Sequence, residues 1–371
     1  MIPIFIPHLN KKAKKYVSKC IDTNWVSSQG SYVSKFEKAL ARYHKVKYCV
    51  ATSSCTSALH LAIKSLNIGK GDEVICPDLT FIAPANMIVL SGAKLKLVDI
   101  DPETFAIDHK QIEKKITNRT KAIMVVHQFG HSADMYPIMK IAKKYNLRII
   151  EDNAESIGGK YKGKKLGTIG DVATMSFYAN KIITSGEGGA ALTNSKKIAE
   201  KCYMLRDHGM SRTSHPIKRY IHLDLGYNYR MTNMQAGVGL SQLEVINKIL
   251  KKRNTQMLLY EKYLSKISEI KVRSFKNWCS PVHWMTTIII NKKNLRNKLI
   301  YFLFKEGVDA RPMIFPVHQA YHFKKYFKDK DFKNSINISK NSVHLPSSTH
   351  LKKSEIKFIC NKVKLFFSTK Y

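Results

Sequence analysis

The stretch AIMVVHQFGHSADMYPIMKIAKKYNLRIIED, residues 122–152, has the pattern of a strand, a helix and a second strand. AIMVVHQ (122–128) and RIIED (148–152) are short, largely apolar runs, and MYPIMKIAKKY (135–145) between them has its apolar residues at helical spacing. Strands that are apolar on both faces and alternate with helices are typical of a parallel sheet covered by helices. This unit therefore predicts an α/β fold.

The same pattern extends over the first two-thirds of the chain. Further strands are predicted at YCVATS (48–53), EVICP (73–77), KLKLVDI (94–100), VATMSF (172–177) and GAALTN (189–194), with a helix at SALHLAIKSL (57–66). A long helical pattern from Asn233 to Lys266 leads to a second region, where WMTTIIIN (284–291) predicts a strand and NLRNKLIYFLFKEG (294–307) a helix. We expect a mostly parallel seven-stranded sheet in a large domain (1–245, with an N-terminal arm) and a smaller α+β domain (246–371).

The composition is that of a folded, strongly basic protein. It has 63 Lys and Arg against 27 Asp and Glu, a net charge of +36, and 44% apolar residues. The basic residues are spread along the chain and form no nucleic-acid motif, so we expect a solvated basic surface without specific nucleic-acid binding. No apolar run approaches the roughly 20 residues that span a bilayer. The seven cysteines are scattered without a CxxC pair, which favours free thiols and a cytoplasmic location.

Three polar segments follow predicted strands, at the sheet edge where ligands of open α/β sheets bind. In the first, residues 53–58 (SSCTSA), small side chains precede a helix whose free N–H groups suit a phosphate. An ordinary helix cap at Ser54 or Thr56 is the alternative.

The second and third segments carry a carboxylate and a lysine. Asp152 ends the RIIED run, where a buried carboxylate needs a cation or a donor; it suits the protonated nitrogen of a pyridine ring, or it caps a helix. Lys181 follows the VATMSF run and precedes the glycine-rich residues 184–189 (TSGEGG). A lysine in such a place can form a Schiff base with an aldehyde cofactor, whereas most isolated lysines are solvated surface.

Taken together, these segments resemble the sugar-nucleotide aminotransferases of the DegT/DnrJ/EryC1/StrS family, over nearly the whole chain. The resemblance also includes WVSSQG (25–30), GYNYRMTN (226–233), HWMT (283–286), ARP (310–312) and PVH (316–318). It implies the fold type I scaffold of aspartate aminotransferase and pyridoxal phosphate (PLP) as cofactor, without a metal.

The resemblance also implies roles for individual residues. Lys181 carries the cofactor, Asp152 pairs with the ring nitrogen and Glu155 meets the ring hydroxyl. Phe81 stacks on the ring, although core packing after the EVICP strand is its alternative. Thr56, Ser57 and Ser176 hold the phosphate. Asn228 of the partner subunit joins them, in a homodimer whose sites are shared between the two chains. The alternative is that Asn228 caps a turn in its own subunit. Substrate contacts fall on Ser28, Gly30, Arg311 and His318.

The implied reaction moves an amino group from L-glutamate to C4 of a nucleotide-linked 4-keto-6-deoxy sugar. GDP-4-keto-6-deoxymannose, which gives GDP-perosamine for O-antigen lipopolysaccharide, is the first choice, and UDP- or dTDP-4-keto-6-deoxyglucose the second. Lysine at 181 argues against the dehydratase branch of the family, which has histidine there. The alternative from a different class is a catalytically inactive basic protein that binds nucleic acid or anionic lipid. Such a protein would have no need of Lys181 and Asp152 after successive strands, so these two residues favour the enzyme.

Two departures from the family pattern concern the binding sites. Cys55 stands where the phosphate turn usually has glycine, which would strain the turn if that position needs a positive φ. The segment 207–222 differs from that of the family members that form GDP-perosamine, and it carries Arg212, His215, Lys218 and Arg219. Because part of the nucleotide-sugar pocket is expected in this segment, the difference affects which nucleotide and sugar are bound.

Overall fold

The computed structural model describes residues 1–211, 215, 217 and 220–368. Its main sheet is built from β1 (Tyr48–Thr52), β2 (Glu73–Pro77), β3 (Lys94–Val98), β4 (Thr120–Val126), β5 (Arg148–Asp152), β8 (Val172–Ser176) and β9 (Gly189–Thr193). The strand order is β1-β9-β8-β5-β4-β2-β3. The strands from β3 across to β8 are mutually parallel, and β9 is antiparallel to both of its neighbours. The predicted seven-stranded, mostly parallel sheet is confirmed.

Helices cover both faces of this sheet because successive strand residues point to opposite sides. On β4, Ile123 and Val125 pack with residues of α5 (His109–Ile112) and α6 (Met135–Lys144). Met124, between them in sequence, packs on the other face with α3 (Cys55–Ser65), α4 (Ile82–Leu90) and α7 (Lys196–Arg206). The aromatic residue Phe36 of α2 (Ser31–His44) is fully buried against Phe177, at the end of β8.

The sequence predicts one long helical pattern from about Asn233 to Lys266, whereas the structure has two helices there. α8 (Asn233–Leu243) begins at a capping box formed by Thr232 and Gln235, and α9 (Ile246–Leu264) starts after Val245, whose φ of −115° is not helical. α8 packs against α1 (Lys11–Asp22) and α2, whereas α9 packs against α12 (Lys353–Ser368). No glycine or proline lies between the two helices, so no local sequence signal marks the break.

The second region is an antiparallel sheet with helices. Its strands are β10 (Ile270–Val272), β12 (Thr286–Ile290), β13 (Arg311–Pro312) and β14 (Ser342–Leu345), in the order β10-β12-β14-β13, with α10 (Arg296–Lys305), α11 (Lys333–Asn341) and α12. β12 and α10 confirm the predicted strand and helix. A small third sheet joins β6 (Lys160–Tyr161), β7 (Lys164–Lys165) and β11 (Cys279–Ser280).

The N-terminal residues lie on this second region. The Ile2 N–H donates to the Gly307 carbonyl over 2.7 Å, and the Ser347 N–H donates to the Ile4 carbonyl over 2.9 Å. The N-terminal arm, which we assigned with residues 1–245, therefore ties the two regions together. Within the described part of the chain, no helix has the length and apolar character needed to cross a membrane.

Candidate functional site

A cavity of about 360 Å³ lies at the carboxyl ends of the parallel strands. Its floor and sides come from the ends of β5 and β8, the first turn of α3 and the start of α4. Its cover comes from the second region and consists of Trp284, Met285, Ile314 and His344. The cavity therefore lies between the main sheet and the antiparallel sheet, at the edge where the sequence predicts ligand binding.

Lys181 reaches into this cavity from the turn that follows β8. The turn is closed by hydrogen bonds from the Lys181 N–H to the Tyr178 carbonyl and from the Ser185 N–H to the Phe177 carbonyl, both 2.9 Å. The Lys181 Nζ lies 3.5 Å from the Glu155 Oε1 and 3.8 Å from the centre of a Trp284 ring. The amine is thus largely withdrawn from solvent beside a carboxylate and an aromatic face.

Two carboxylates end β5, and they have opposite surroundings. Glu151 accepts hydrogen bonds from His127 and from the backbone N–H groups of Gly167, Ile169 and Gly170 at 2.6–2.9 Å. Burial acts to raise its pKa, but these hydrogen bonds outweigh burial and lower it. Asp152 lines the cavity and accepts a 3.0 Å bond from the Ala154 N–H. Burial raises the pKa of Asp152 to about 6.

Glu155 lies one turn beyond Asp152 and is buried at the side of the cavity. Its Oε2 accepts a 2.7 Å hydrogen bond from the backbone N–H of Phe129, while its Oε1 faces Lys181. The Glu155 carboxylate is thus positioned by a backbone donor on one side and lies beside the Lys181 amine on the other.

The first turn of α3 contributes the polar groups at the other end of the cavity. Ser54 caps the helix, and its Oγ accepts from the Ser57 N–H over 3.1 Å. Thr56 lines the cavity together with Ser176 at the end of β8, whereas the buried Ser57 hydroxyl is bonded to those of Ser53 and Ser54.

Cys55 does not strain this turn. It is the first residue of α3 and is not among the residues with positive φ. The close approach falls instead on Gly189, where a Cβ atom would lie 2.4 Å from the Ser54 carbonyl carbon. The turn therefore keeps a helical N-terminus that suits an anion without glycine at position 55.

Residues 7–364 match the DegT/DnrJ/EryC1/StrS aminotransferase family. The chain belongs to this family. It is 38% identical over 369 residues to GDP-perosamine synthase of Escherichia coli O157:H7, covering 100% of this chain and 99% of the relative. It is 40% identical over 358 residues to GDP-perosamine synthase of Caulobacter vibrioides, covering 96% and 95%. Spr1654 of Streptococcus pneumoniae, solved in PMP and PLP forms, is 25% identical, with TM-scores of 0.94 and 0.92 and at least 98% of each chain covered.

The protein is therefore a PLP-dependent sugar aminotransferase of this family. The cavity residues fit the cofactor. Asp152 is a buried carboxylate whose pKa is raised by burial, and the positive charge of a protonated ring nitrogen would stabilise its charged form. Lys181 and Glu155 lie within the same cavity, and Thr56 and Ser176 offer hydroxyls beside the α3 N-terminus for a phosphate. Phe81 lines the cavity with 61% of its surface exposed, so its ring is available to stack on a ligand.

Asn228 lies outside the cavity lining of its own chain. Its side-chain oxygen accepts from Arg230 at 3.0 and 3.1 Å, and Arg230 is paired in turn with Asp207 at 2.8 Å. The basic residues Arg212, Lys218 and Arg219 of the neighbouring segment lie outside the described residues, whereas His215 is described and exposed.

The four residues predicted to bind substrate are not among the cavity lining. Gly30 caps α2, and a Cβ atom there would lie 2.0 Å from the Asn233 side chain, so its small size serves packing. Arg311 is exposed and paired with Asp309 at 2.8 Å. Ser28, two residues before Gly30, is half-buried.

His318 is buried between charged side chains. Its ring nitrogens lie 2.7 Å from Asp78 and 3.2 Å from Asp329, its backbone N–H donates to Asp78, and the ring stacks on Phe332. Burial acts to lower its pKa, but the two carboxylates outweigh burial and raise it. With both nitrogens engaged, His318 joins the two regions of the protein, and its contact with substrate stays a prediction.

Several cavity residues were missed by sequence reasoning. Phe129, Ile314 and His344 come from loops and strands far apart in sequence, and no local pattern marks them. Trp284 lies in the HWMT segment, which contributed to the family resemblance but received no role. Its indole N–H donates to the Asn180 carbonyl, 104 residues away in sequence, and this bond places the ring beside Lys181.

Proposed function

We propose that this protein transfers the amino group of L-glutamate to C4 of GDP-4-keto-6-deoxymannose and so forms GDP-perosamine. It acts in the cytoplasm, as a homodimer, on a precursor of O-antigen lipopolysaccharide. UDP- or dTDP-4-keto-6-deoxyglucose is the alternative acceptor. The observation that carries the aminotransferase reaction is the convergence of Lys181, Asp152 and Glu155 on one cavity. The choice of acceptor is supported by the 38–40% identity to GDP-perosamine synthases over nearly the full chain.

The chemistry that PLP supplies when bound is withdrawal of electrons from the substrate carbon that loses its proton. Asp152 would hold the proton on the ring nitrogen through its charge. The Lys181 Nζ would take the proton from the α-carbon of the amino donor as a general base, and would later deliver a proton to the sugar carbon that gains the amino group. Glu155 would accept from the ring hydroxyl, and the Phe129 N–H keeps its carboxylate in place. Trp284 and Phe129, stacked with ring centres 5.8 Å apart, exclude water on the side of the second region.

The assembly proposed here shares its sites between two chains, with Asn228 serving the phosphate of the partner's cofactor. Two features support it. Asn228 lies outside its own chain's cavity, and the segment that precedes it exposes large apolar side chains, such as Tyr220 and Leu225 at 81% each and Leu223 at 64%. Large exposed apolar side chains that lie close together in sequence are consistent with an interface.

A substrate panel tests the proposal. The purified protein is loaded with PLP and given L-glutamate with GDP-, UDP- or dTDP-linked 4-keto-6-deoxy sugars, and the products are identified by mass spectrometry. We expect the GDP sugar to gain the amino group with the highest kcat/KM, and Lys181→Ala to form no product. A preference for the UDP or dTDP sugar would replace the proposed acceptor. Absence of amination with every sugar would reject the proposed reaction.

A further inference from the structure

Arg273 is a buried guanidinium without a carboxylate partner among the described residues. It follows β10, is 3% exposed and packs against the rings of Phe105 and Phe275. Its Nη groups donate to the carbonyl oxygens of Gln128 at 3.1 Å, Phe129 at 3.2 Å and Thr104. Burial lowers its pKa to about 9, so it remains charged at neutral pH. Burying an apolar side chain among these rings would cost less free energy than burying a guanidinium. The contribution that is specific to arginine here is therefore its set of hydrogen bonds to the carbonyl oxygens.

The loop that Arg273 holds has an uncommon conformation. Phe129 has a φ of 48° and a ψ of 39°, in the left-handed region that bulky residues rarely adopt. The Val282 N–H also donates to the Gly130 carbonyl over 3.0 Å. A Cβ atom at Gly130 would lie 1.7 Å from the Val282 carbonyl oxygen. The loop is therefore held in place by residues 273–282 of the second region, and such conformations persist only where the surroundings enforce them.

This loop leads directly to the cofactor site. The Phe129 N–H points at Glu155, with 2.7 Å between donor and acceptor, and the other oxygen of Glu155 lies 3.5 Å from the Lys181 Nζ. We propose that Arg273 is a positioning residue, which holds the loop carbonyls so that the Phe129 N–H fixes the Glu155 carboxylate beside Lys181. This inference deepens the proposed function, because Glu155 and Lys181 belong to the proposed cofactor site.

Hydrogen–deuterium exchange on the full chain without cofactor tests the geometric step. Arg273→Met removes the donors while keeping an unbranched apolar side chain. We expect the Phe129 amide to exchange at least tenfold faster. Gln256→Leu is the matched control, because the buried Gln256 donates to the carbonyls of Ser348 and Leu351, away from the cavity lining. It should leave Phe129 unchanged. Unchanged exchange in Arg273→Met, or equal acceleration in both variants, would overturn the proposal. This result does not depend on the proposed donor and acceptor of the amino group.

The PLP-loaded protein tests the effect on Lys181. The other titratable groups around Glu155 are Asp152, Lys181 and Cys55. Without Arg273, Glu155 loses the Phe129 donor and a nearby positive charge, and both changes strengthen its attraction for a proton at the Lys181 nitrogen. We expect the pH midpoint of the visible absorbance to rise by about half a unit or more, on the scale of pKa shifts from nearby charges. A fall or an unchanged midpoint would contradict the proposal.

Two further variants separate geometry from charge. In a Glu155→Gln background, Arg273→Met should shift the midpoint much less than in the parent, because the carboxylate through which Arg273 acts is gone. An equal shift in both backgrounds would reject positioning through Glu155. Arg273→Lys keeps the charge but cannot span the three carbonyls. Its pH midpoint should therefore rise above the parent value by most of the amount expected for Arg273→Met. A midpoint restored to the parent value would mean that charge alone matters and would likewise reject positioning.

Discussion

Replacing Asp152 by asparagine should make the cofactor-free protein more stable while making the enzyme far less active. The Asp152 carboxylate is buried and accepts a hydrogen bond from the Ala154 N–H. Asparagine has nearly the same shape and keeps an oxygen for that bond. It removes the buried charge, which Lys181 and His127 offset only in part, since burial still raises the pKa of Asp152.

The magnitude follows from the shift in pKa. Burial raises the pKa of Asp152 from 3.8 to about 6 in the folded protein. At about 1.36 kcal/mol per pKa unit, the ionised carboxylate costs the folded state about 3 kcal/mol above pH 6. This cost falls as the pH drops from 6 towards 3.8 and is absent below that, because the carboxyl group is then protonated in both states. The gain in Asp152→Asn should follow the same course.

Urea unfolding of both cofactor-free proteins between pH 4 and 8 measures this difference. The adjacent Glu151→Gln variant is the control, because Glu151 has a lowered pKa and several donors, so its loss should destabilise the protein at pH 7.5 by about 2 kcal/mol or more. With PLP bound, Asp152→Asn should lose about a thousandfold in transamination, which corresponds to about 4 kcal/mol. An Asp152→Asn protein that is less stable at pH 7.5, or a difference that does not change with pH, would refute the reasoning.

Four further outcomes are expected. Lys181→Ala should bind PLP without the covalent link that borohydride fixes on Lys181, which peptide mass spectrometry reads; a cofactor found on another lysine would contradict the assignment. Lys181→Ala and Asn228→Asp, refolded together, should recover activity up to one working site per heterodimer, and no recovery in proven heterodimers would place both residues in one chain's site. Gly30→Ala should lower the free energy of unfolding by about 1–3 kcal/mol, because its Cβ atom would overlap Asn233, and an unchanged urea midpoint would argue against that packing. Binding of DNA or RNA, measured by fluorescence anisotropy, should be nonspecific and fade steeply with salt; tight, sequence-selective binding at physiological salt would show a second function.

The fold class and the centre of the candidate site could be predicted from the sequence alone, because both depend on short-range patterns. Apolar runs of a few residues separated by helical periodicity define the strands of a parallel sheet. Asp152 ends one of these runs, and Lys181 lies in the turn after another. Since parallel strands end at a common edge, residues after different strands meet there whatever the rest of the chain does. The same patterns did not show that α8 and α9 are separate helices, because helical periodicity continues through the break.

Contacts between distant segments were decided only by the tertiary structure. Trp284 covers Lys181 because its indole N–H reaches Asn180 across the two regions, and Arg273 holds the loop of Phe129 from 144 residues away. His318 has a motif position that suggested substrate binding, yet Asp78 and Asp329 occupy both of its ring nitrogens. The sequence determined which chemical groups stand at the strand ends, because that information is local. Which groups surround them was decided by packing, since each such contact depends on the whole chain being folded.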